Sequence, residues 1–178
     1  MKRNDVLALA ARVEAATGAD MALEHYSHNP VSLYDVDQSG EPSGYAKPCG
    51  FWVSVKGEYD WRSWCEGEDF GDIGSASVRQ FSLAESHNVL LIETSLALQV
   101  FDERYGRDDR IGSSQYTQRR IDWRRVAEQY DGIIIAPYQW EHRLDGRISD
   151  WYYSWDCASG CIWRPTTALR AIAERMPE

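Results

Sequence analysis

The apolar segments of this sequence are short, and charged, glycine or proline residues interrupt them. The segments Val89–Ile92 and Ile133–Ala136 each contain only four consecutive apolar residues, whereas a membrane-spanning helix needs roughly 18 or more. The N-terminal segment 4–12 reaches a charge at Arg12 before it can form the apolar core of a signal peptide. We therefore expect a cytoplasmic protein with no membrane partner.

The length and the charge of the chain further limit the classes of protein to which it can belong. With 178 residues, of which 43% are apolar and 26% charged, the chain has the composition of a globular protein, and its length predicts one domain over residues 1–178. It carries 28 acidic and 19 basic side chains, a net charge of -9. This charge excludes a protein held on nucleic acid by its overall electric field, although a local basic groove remains allowed.

Strand and helix patterns follow one another without the regular alternation of a doubly wound sheet, which predicts an α+β fold. Strands are predicted at 21–26, 51–56, 73–81, 89–93, 133–136, 151–155 and 160–163, where the last two are either separate strands or one strand with a bulge. Helices are predicted at 4–17, 61–68, 95–105, 123–130 and 168–175. Segment 27–48 is predicted to be a long loop with a short strand at 31–36, and segment 107–120 an exposed polar connection.

Aromatic residues are concentrated in segments 51–70 and 138–163. The chain has 8 Trp, 10 Tyr and 4 Phe. Such rings fill a core efficiently, and Trp and Tyr also stack on flat ligands such as nucleobases or nicotinamide. The two segments are therefore candidates both for the core and for a ligand site.

Common signatures of catalytic and metal sites are missing from the sequence. It has no GxxxxGK loop, no GxGxxG fingerprint and no HExxH motif. His25 and His28 do not converge on a metal by their spacing, and Ser54 is not part of a nucleophile elbow. These absences leave a ligand-stacking site as the main hypothesis.

The sequence contains four cysteines, which a reducing cytoplasm keeps as thiols. They are Cys49, Cys65, Cys157 and Cys161. Four thiolates could hold zinc, but the CxxxC spacing of the last two is looser than the spacing typical of zinc-binding motifs. Small, half-buried residues beside strands are the simpler interpretation. Zinc binding stays open, and nothing else in the sequence implies a metal.

Two predicted strands bring aromatic and polar side chains close together. Alternation along 51–56 places Trp52 and Ser54 on the face opposite to the core. His25 lies near the end of strand 21–26. If the two strands pair, a ring, a hydroxyl and an imidazole line one cleft.

Two segments resemble the first strands of the ADP-ribosyltransferase fold. In Leu23–Ser27 (LEHYS) a histidine is followed two positions on by a small hydroxyl residue, and Lys47–Ser54 (KPCGFWVS) contains a Gly-aromatic-x-Ser pattern. This family includes poly-ADP-ribose polymerases, diphtheria-like toxins and RNA phosphotransferases, and the sequence also resembles small phage and bacterial proteins with this arrangement. The resemblance implies a mixed or antiparallel split sheet flanked by helices, with NAD as the substrate and no metal.

The resemblance implies catalytic roles for three residues. His25 would hydrogen-bond the ribose of NAD, and Trp52, where the family more often has Tyr, would stack on nicotinamide. The family's acidic residue, usually Glu, falls near Ser159 in this sequence, so Asp156 is the nearest substitute and is preferred to Glu141.

Five further residues are implied to bind the cofactor: Tyr26, Ser27, Lys47, Gly50 and Ser54. Ser27 would hold the carboxamide, Lys47 would contact the pyrophosphate, and Ser54 would support the pocket.

These site residues also have structural explanations. His25 is alternatively a hydrogen-bonded residue at a strand end, and Trp52 is alternatively part of the core. Asp156 is alternatively the cap of a turn, and Lys47 a solvated loop residue.

The predicted function is therefore an NAD-dependent ADP-ribosyltransferase, or an NAD glycohydrolase, that acts on a macromolecular acceptor, either protein or nucleic acid. One alternative is a non-catalytic nucleotide- or protein-binding module of phage or bacterial origin that retains the fold. Another is RNA phosphate chemistry, which needs basic residues at the cleft: Lys47, Lys56, Arg79, Arg119, Arg120, Arg124 and Arg125. Convergence of His25, Trp52 and Asp156 in one pocket favours an enzyme.

Overall fold

The structure is a computed structural model, and it describes residues 21–38, 47–110, 116–144 and 146–175. These residues form a mixed α+β fold with a curled, mostly antiparallel sheet and few helices. The helix predicted at 4–17 lies outside the described residues. No helix within the described ranges is long and apolar enough to span a bilayer.

The strands and helices alternate irregularly along the chain. The strands are β1 (Leu23–Ser27), β2 (Phe51–Val55), β3 (Ser77–Leu83), β4 (Val89–Ile92), β5 (Gly106–Arg110), β6 (Thr117–Ile121), β7 (Gly132–Ile135), β8 (Ser159–Ile162) and β9 (Leu169–Arg175). The helices are α1 (Trp61–Glu68), α2 (Ser95–Tyr105), α3 (Trp123–Ala127), α4 (Gly146–Tyr152) and α5 (Pro165–Ala168). Short 3-10 turns lie at Ile73–Ser75 and Trp140–His142.

Seven strands form the main sheet in the order β4-β7-β8-β2-β1-β3-β9, and β5 and β6 pair separately. The β4–β7 pair is parallel, and the other neighbours are antiparallel. The central strands β1 and β2 pair only at Leu23–Val55 and Glu24–Ser54. Beyond this point β1 stays paired with β3 and β2 with β8. The sheet therefore opens between its two central strands.

A cluster of aromatic rings joins the helices to the sheet. The rings of Phe101 in α2 and Trp123 in α3 lie 5.6 and 6.2 Å from the ring of Trp151 in α4. They share one core with β4 and β7, whose residues are all buried. Because full burial of one such side chain contributes about 1.5–3 kcal/mol, these rings are a main source of stability for the fold.

Arg119 of β6 attaches the β5–β6 hairpin to this core. Its Nε and Nη2 atoms donate to the carboxylate of Asp102 in α2 at 3.1 and 3.0 Å, and Asp102 also accepts from Nε1 of Trp151 at 3.0 Å. All three residues are buried, and such pairing makes a buried charge tolerable. The prediction of an exposed polar connection over 107–120 is right about the exposure of most described residues there, but it missed the pairing of β5 with β6 and the buried Arg119.

The C-terminal segment is a strand, and the prediction of a helix over 168–175 is wrong. β9 pairs with β3, with Leu169 opposite Leu83 and Arg170 opposite Ser82. This pairing gives β3 a second neighbouring strand and makes β9 the last strand of the sheet. It overrides the helix propensity of the alanine-rich sequence, because tertiary contacts outweigh propensity.

The strand predicted at 151–155 is also wrong, since its first residues belong to α4. Ile148, Trp151 and Tyr152 are buried at spacings of three and four residues, which is the helical period. The adjacent aromatic residues Trp151 and Tyr152 do not by themselves distinguish a strand from a helix. The helical period becomes visible only when Ile148 is included.

The short strand predicted at 31–36 is absent, because these residues form no regular structure.

Candidate functional site

A cavity of about 350 Å³ lies where β1 and β2 separate. Its walls come from β1, β2, the start of α1 and the segment that leads into β8. The lining residues are Glu24, His25, Tyr26, Lys47, Trp52, Val53, Ser54, Trp61, Trp155, Asp156, Cys157 and Ser159. The structure thus brings His25, Trp52 and Asp156 to one cavity, together with Tyr26, Lys47 and Ser54.

The hydroxyl of Ser54 fixes the start of α1 at the edge of the cavity. Its Oγ atom accepts a hydrogen bond of 2.8 Å from the backbone N–H of Trp61, the first residue of that helix. Asp60 caps the same helix through the N–H of Ser63 at 2.8 Å. Ser54 therefore supports the cavity wall that contains Trp61.

His25 is tied to the neighbouring strand. Its Nδ1 atom lies 2.7 Å from the backbone oxygen of Trp52. Because a carbonyl oxygen only accepts, Nδ1 carries the proton of this bond. Burial lowers the pKa of His25, the hydrogen bond to Trp52 raises it, and the charge of Arg79 lowers it again, with a net decrease. The neutral imidazole therefore has Nε2 as a hydrogen-bond acceptor.

The imidazole of His25 does not lie beside the ring of Trp52. It stacks on Phe51, with ring centroids 4.2 Å apart. Phe51 and Trp52 are consecutive in β2, so their side chains point to opposite faces of the sheet. The predicted cleft with ring and imidazole on one face is therefore not what the structure contains. His25 borders the cavity where its Nδ1 atom meets the backbone of Trp52.

The ring of Trp52 holds a cation against its face. Nζ of Lys47 lies 5.0 Å from the ring centroid, which is cation–π distance. Trp155 contacts the same ring edge-on, with centroids 5.1 Å apart. Trp52 is partly exposed, so its ring is both part of the wall and open to a ligand.

Asp156 lies between two cations. Nζ of Lys47 is 3.9 Å from its Oδ2 atom, and Nη2 of Arg143 is 3.9 Å from its Oδ1 atom. Burial nevertheless raises the pKa of Asp156 above its usual value, against the lowering effect of the two cations, while Glu68 also raises it. Burial likewise lowers the pKa of Lys47. The environment thus partly disfavours the charge of both groups.

Glu24 is a cavity residue that the sequence did not indicate. It is 3% exposed, and its carboxylate accepts hydrogen bonds from Tyr26 at 2.7 Å and Gln80 at 3.1 Å, with Nζ of Lys56 at 3.4 Å. Burial favours a higher pKa for Glu24, but these partners lower it overall. The sequence signal that could have indicated Glu24 is its place on the same face of the strands as Trp52 and Ser54. A buried carboxylate at that place needs hydrogen-bond or ion-pair partners.

Cys157 and Ser159 border the cavity without offering a nucleophile. Burial raises the pKa of the Cys157 thiol to about 12, so the thiol is protonated at neutral pH. The Ser159 hydroxyl donates to the backbone oxygen of Cys157 at 3.0 Å. Within the described ranges no group of three or more His, Cys, Asp or Glu side chains could hold a metal ion.

Two predicted binding residues do not border the cavity. Ser27 donates to the backbone oxygen of Asn29 at 2.9 Å, beyond the cavity. Gly50 lies against β8, where a Cβ atom would be 2.8 Å from Sγ of Cys161 and 2.8 Å from the backbone oxygen of Ile162. The role of Gly50 in the structure is therefore close packing.

Several of the basic residues needed for RNA phosphate chemistry pair with carboxylates. Arg79 pairs with Glu174 at 2.7 Å, and Lys56 and Arg119 pair with Glu24 and Asp102. Among the seven basic residues considered for that chemistry, Lys47 alone lines the cavity.

No family model matches the sequence, and neither a curated protein nor a solved structure shows significant similarity to it.

Proposed function

We propose that the cavity binds NAD and that the protein is an NAD-dependent ADP-ribosyltransferase or NAD glycohydrolase with an ADP-ribosyltransferase-like fold. One observation carries the proposal: His25, Trp52 and Asp156 come from three separate parts of the sequence and border one cavity. ADP-ribose passes to a macromolecular acceptor, protein or nucleic acid, or to water. The proposed reaction uses no metal.

The size and the aromatic wall of the cavity suit the nicotinamide riboside half of NAD. Ligand pockets have volumes of roughly 300–1,000 Å³, and this cavity has about 350 Å³. The nicotinamide ring of NAD is a flat cation. Trp52 already holds the cation of Lys47 against its ring, so a stacked pyridinium would take over that contact, and Lys47 would move toward the pyrophosphate.

Two carboxylates in the cavity wall have pKa values shifted in opposite directions. Such a separation is typical of paired groups with different roles in catalysis. Glu24, with its lowered pKa, stays ionised and supplies negative charge to the cavity. Asp156, with its raised pKa, is better suited to accept a proton. We assign Glu24 to stabilise positive charge on the ribose, and Asp156 to stabilise it and to activate the acceptor.

In the proposed reaction the bond between C1′ of ribose and the nicotinamide nitrogen breaks, and the electron pair leaves with neutral nicotinamide. The ribose becomes an oxocarbenium cation, which the carboxylates stabilise in a water-poor cavity. The acceptor then attacks C1′, and its proton passes to Asp156. His25 acts as a positioning residue, because its Nδ1–H holds the backbone oxygen of Trp52, the residue whose ring stacks on nicotinamide.

A second candidate function is a binding module without catalysis. It is favoured by Ser159, which lines the cavity where the resemblance leads one to expect Glu, and whose hydroxyl is bonded to the backbone. Such a module would bind NAD or another nucleotide without cleaving it.

The experiment that tests the proposal is nicotinamide release from NAD by the purified protein, alone and with cell lysate as a source of acceptor. We expect Asp156→Ala to lower the rate about 100- to 1,000-fold, the usual effect of losing one electrostatic contact to a transition state. His25→Ala should also lower it. The control is Arg62→Ala, because Arg62 is exposed, pairs with Glu66 on the surface of α1 and does not line the cavity.

Each outcome distinguishes between the candidates. Release that depends on His25 and Asp156 but not on Arg62 supports the enzyme. Binding of NAD without release supports the binding module. If Asp156→Ala still releases nicotinamide at the wild-type rate, another residue has the role assigned to Asp156. A protein that does not bind NAD contradicts both candidates.

A further inference from the structure

A primary amine lies in the wall of the cavity between β1 and β2. The sequence has three lysines, and among the described residues Lys47 is the one that lines this cavity. Its side chain is 30% exposed, and its Nζ atom lies against the ring of Trp52. Of the other two lysines, Lys2 lies outside the described residues, and the Lys56 side chain is 51% exposed and does not line the cavity.

The amine of Lys47 has no hydrogen-bond acceptor among the residues that the structure describes. Oδ2 of Asp156 is 3.9 Å from Nζ, which is longer than the roughly 2.7–3.2 Å of an N–H···O hydrogen bond. A mostly buried ammonium group without such bonds is costly. Burial accordingly lowers the pKa of Lys47, although the charge of Asp156 raises it in part. The neutral amine therefore forms more readily here than on a solvated lysine.

Asp156 places a carboxyl group next to this amine. Burial raises its pKa above the usual value, against the lowering effect of Lys47 and Arg143. Both shifts favour the uncharged forms, an amine and a carboxylic acid. Such a pair is suited to the addition of an amine to a carbonyl compound, because the amine is the nucleophile and the carboxyl group can transfer protons.

We propose that Nζ of Lys47 forms a Schiff base with an aldehyde or ketone that has a flat apolar body, and that Asp156 transfers the protons of this reaction. The flat body follows from the surroundings of Nζ. A carbonyl carbon bonded to Nζ lies at the face of Trp52, and the rest of the compound then contacts the partly exposed rings of Trp52 and Trp61 in the cavity wall. The reaction needs no NAD and therefore goes beyond the proposed function.

The proposed reaction has two steps. The lone pair of Nζ attacks the carbonyl carbon, the π electrons move to oxygen, and Asp156 takes a proton from Nζ and gives one to that oxygen, which yields a carbinolamine. Asp156 then protonates the hydroxyl group, the carbon–oxygen bond breaks, and its electron pair leaves with water. The nitrogen lone pair closes the C=N bond. The products are a protonated imine, water and the carboxylate of Asp156.

The test is reductive trapping with benzaldehyde at neutral pH. Sodium cyanoborohydride reduces an imine to a stable secondary amine, and mass spectrometry of peptides locates the labelled lysine. Lys56 is the internal control, because it lies outside the cavity wall. We expect labelling of Lys47 to exceed that of Lys56 about tenfold, a difference of about 1.4 kcal/mol. Propionaldehyde, which has no ring, should show a smaller preference for Lys47 than benzaldehyde does.

Two further controls separate the cavity from ordinary lysine reactivity. In urea, where the cavity is lost, wild-type protein should label Lys47 and Lys56 equally. Asp156→Asn should slow the labelling of Lys47 about 100-fold, the usual effect of losing one proton-transfer group. The matched variant is Glu66→Gln, which changes an exposed carboxylate outside the cavity wall and should leave the rate unchanged.

The outcomes are independent of NAD cleavage. Preferential labelling of Lys47 that disappears in urea supports the Schiff base, and equal labelling of Lys47 and Lys56 in the folded protein overturns it. A wild-type rate in Asp156→Asn overturns the proton transfer by Asp156. Trapping at Lys47 by a protein that does not bind NAD leaves the Schiff base standing while the proposed function fails, and NAD cleavage without trapping has the opposite meaning.

Discussion

Nδ1 of His25 lies 2.7 Å from the backbone oxygen of Trp52, across the point where β1 and β2 separate. This hydrogen bond replaces the backbone pairing that the two strands give up there. It also fixes the tautomer, because the Trp52 oxygen can only accept. The same contact therefore links the two strands at the cavity and leaves Nε2 of His25 unprotonated.

The first prediction concerns this tautomer. The pKa of His25 is lowered from 6.5, mainly by burial, so the imidazole stays neutral at pH 7 and becomes protonated only below pH 6.5. Protonation places a charge in this largely buried position and disfavours the imidazole position that holds Trp52, so we expect the affinity for NAD to fall as the pH drops below 6.5. Binding titrations between about pH 5 and pH 8 measure this effect. In His25→Gln the decline should disappear, and an unchanged pH profile in that variant would assign it to another group.

The second prediction concerns Glu24. Its pKa is lowered in the folded protein, so its charge contributes stability that is fully present above pH 4.5 and is lost as the pH falls through the folded pKa. We expect Glu24→Gln to lower the free energy of unfolding by about 1–3 kcal/mol at pH 7. The loss should shrink below pH 4.5 in urea unfolding experiments. A loss that is independent of pH would show that packing, and not charge, is what Glu24 supplies.

Asp156 should show the opposite dependence of stability on pH. Its pKa is raised in the folded protein, so its contribution to stability is present below its usual pKa of 3.8 and is lost as the pH rises through the folded pKa. We expect Asp156→Asn to become more stable relative to the wild type as the pH increases from about 4 to 7. Urea unfolding at the two pH values measures the difference. A decrease over this range would mean that Lys47 and Arg143 outweigh burial.

A fourth prediction tests the packing of Gly50 against β8. A Cβ atom there would lie 2.8 Å from the backbone oxygen of Ile162, whereas a Cβ atom at Gly57 would meet nothing within 4 Å. Both glycines have positive φ angles, 155° and 146°. We expect Gly50→Ala to destabilise the protein by about 1–3 kcal/mol more than Gly57→Ala, which is the usual cost of overpacking. Equal thermal unfolding temperatures for the two variants would contradict this account.

Several elements of the fold could be predicted because their local signals are strong. α1 has the predicted bounds of 61–68, and α2 has the predicted bounds of 95–105, with Thr94, one of the two candidate caps beside Ser95, as its cap. The strands β2, β4 and β7 lie within one or two residues of their predicted bounds. In these cases the cap or the apolar run alone determines the element.

The remaining elements depend on contacts that are distant in sequence. β9 is a strand because β3 pairs with it, and the β5–β6 hairpin is held by Arg119 and Asp102. Strand alternation predicted the side of β2 on which Trp52 lies. It could not predict that the imidazole of His25 stacks on Phe51, because this depends on where β1 and β2 separate.

The most direct measurement for the account as a whole is nicotinamide release from NAD by the purified wild-type protein, with NAD binding measured on the same sample. We expect binding, release at neutral pH, and loss of release in Asp156→Ala with binding retained. A protein that neither binds NAD nor releases nicotinamide, in the presence or absence of cell lysate, would contradict the assignment of this cavity.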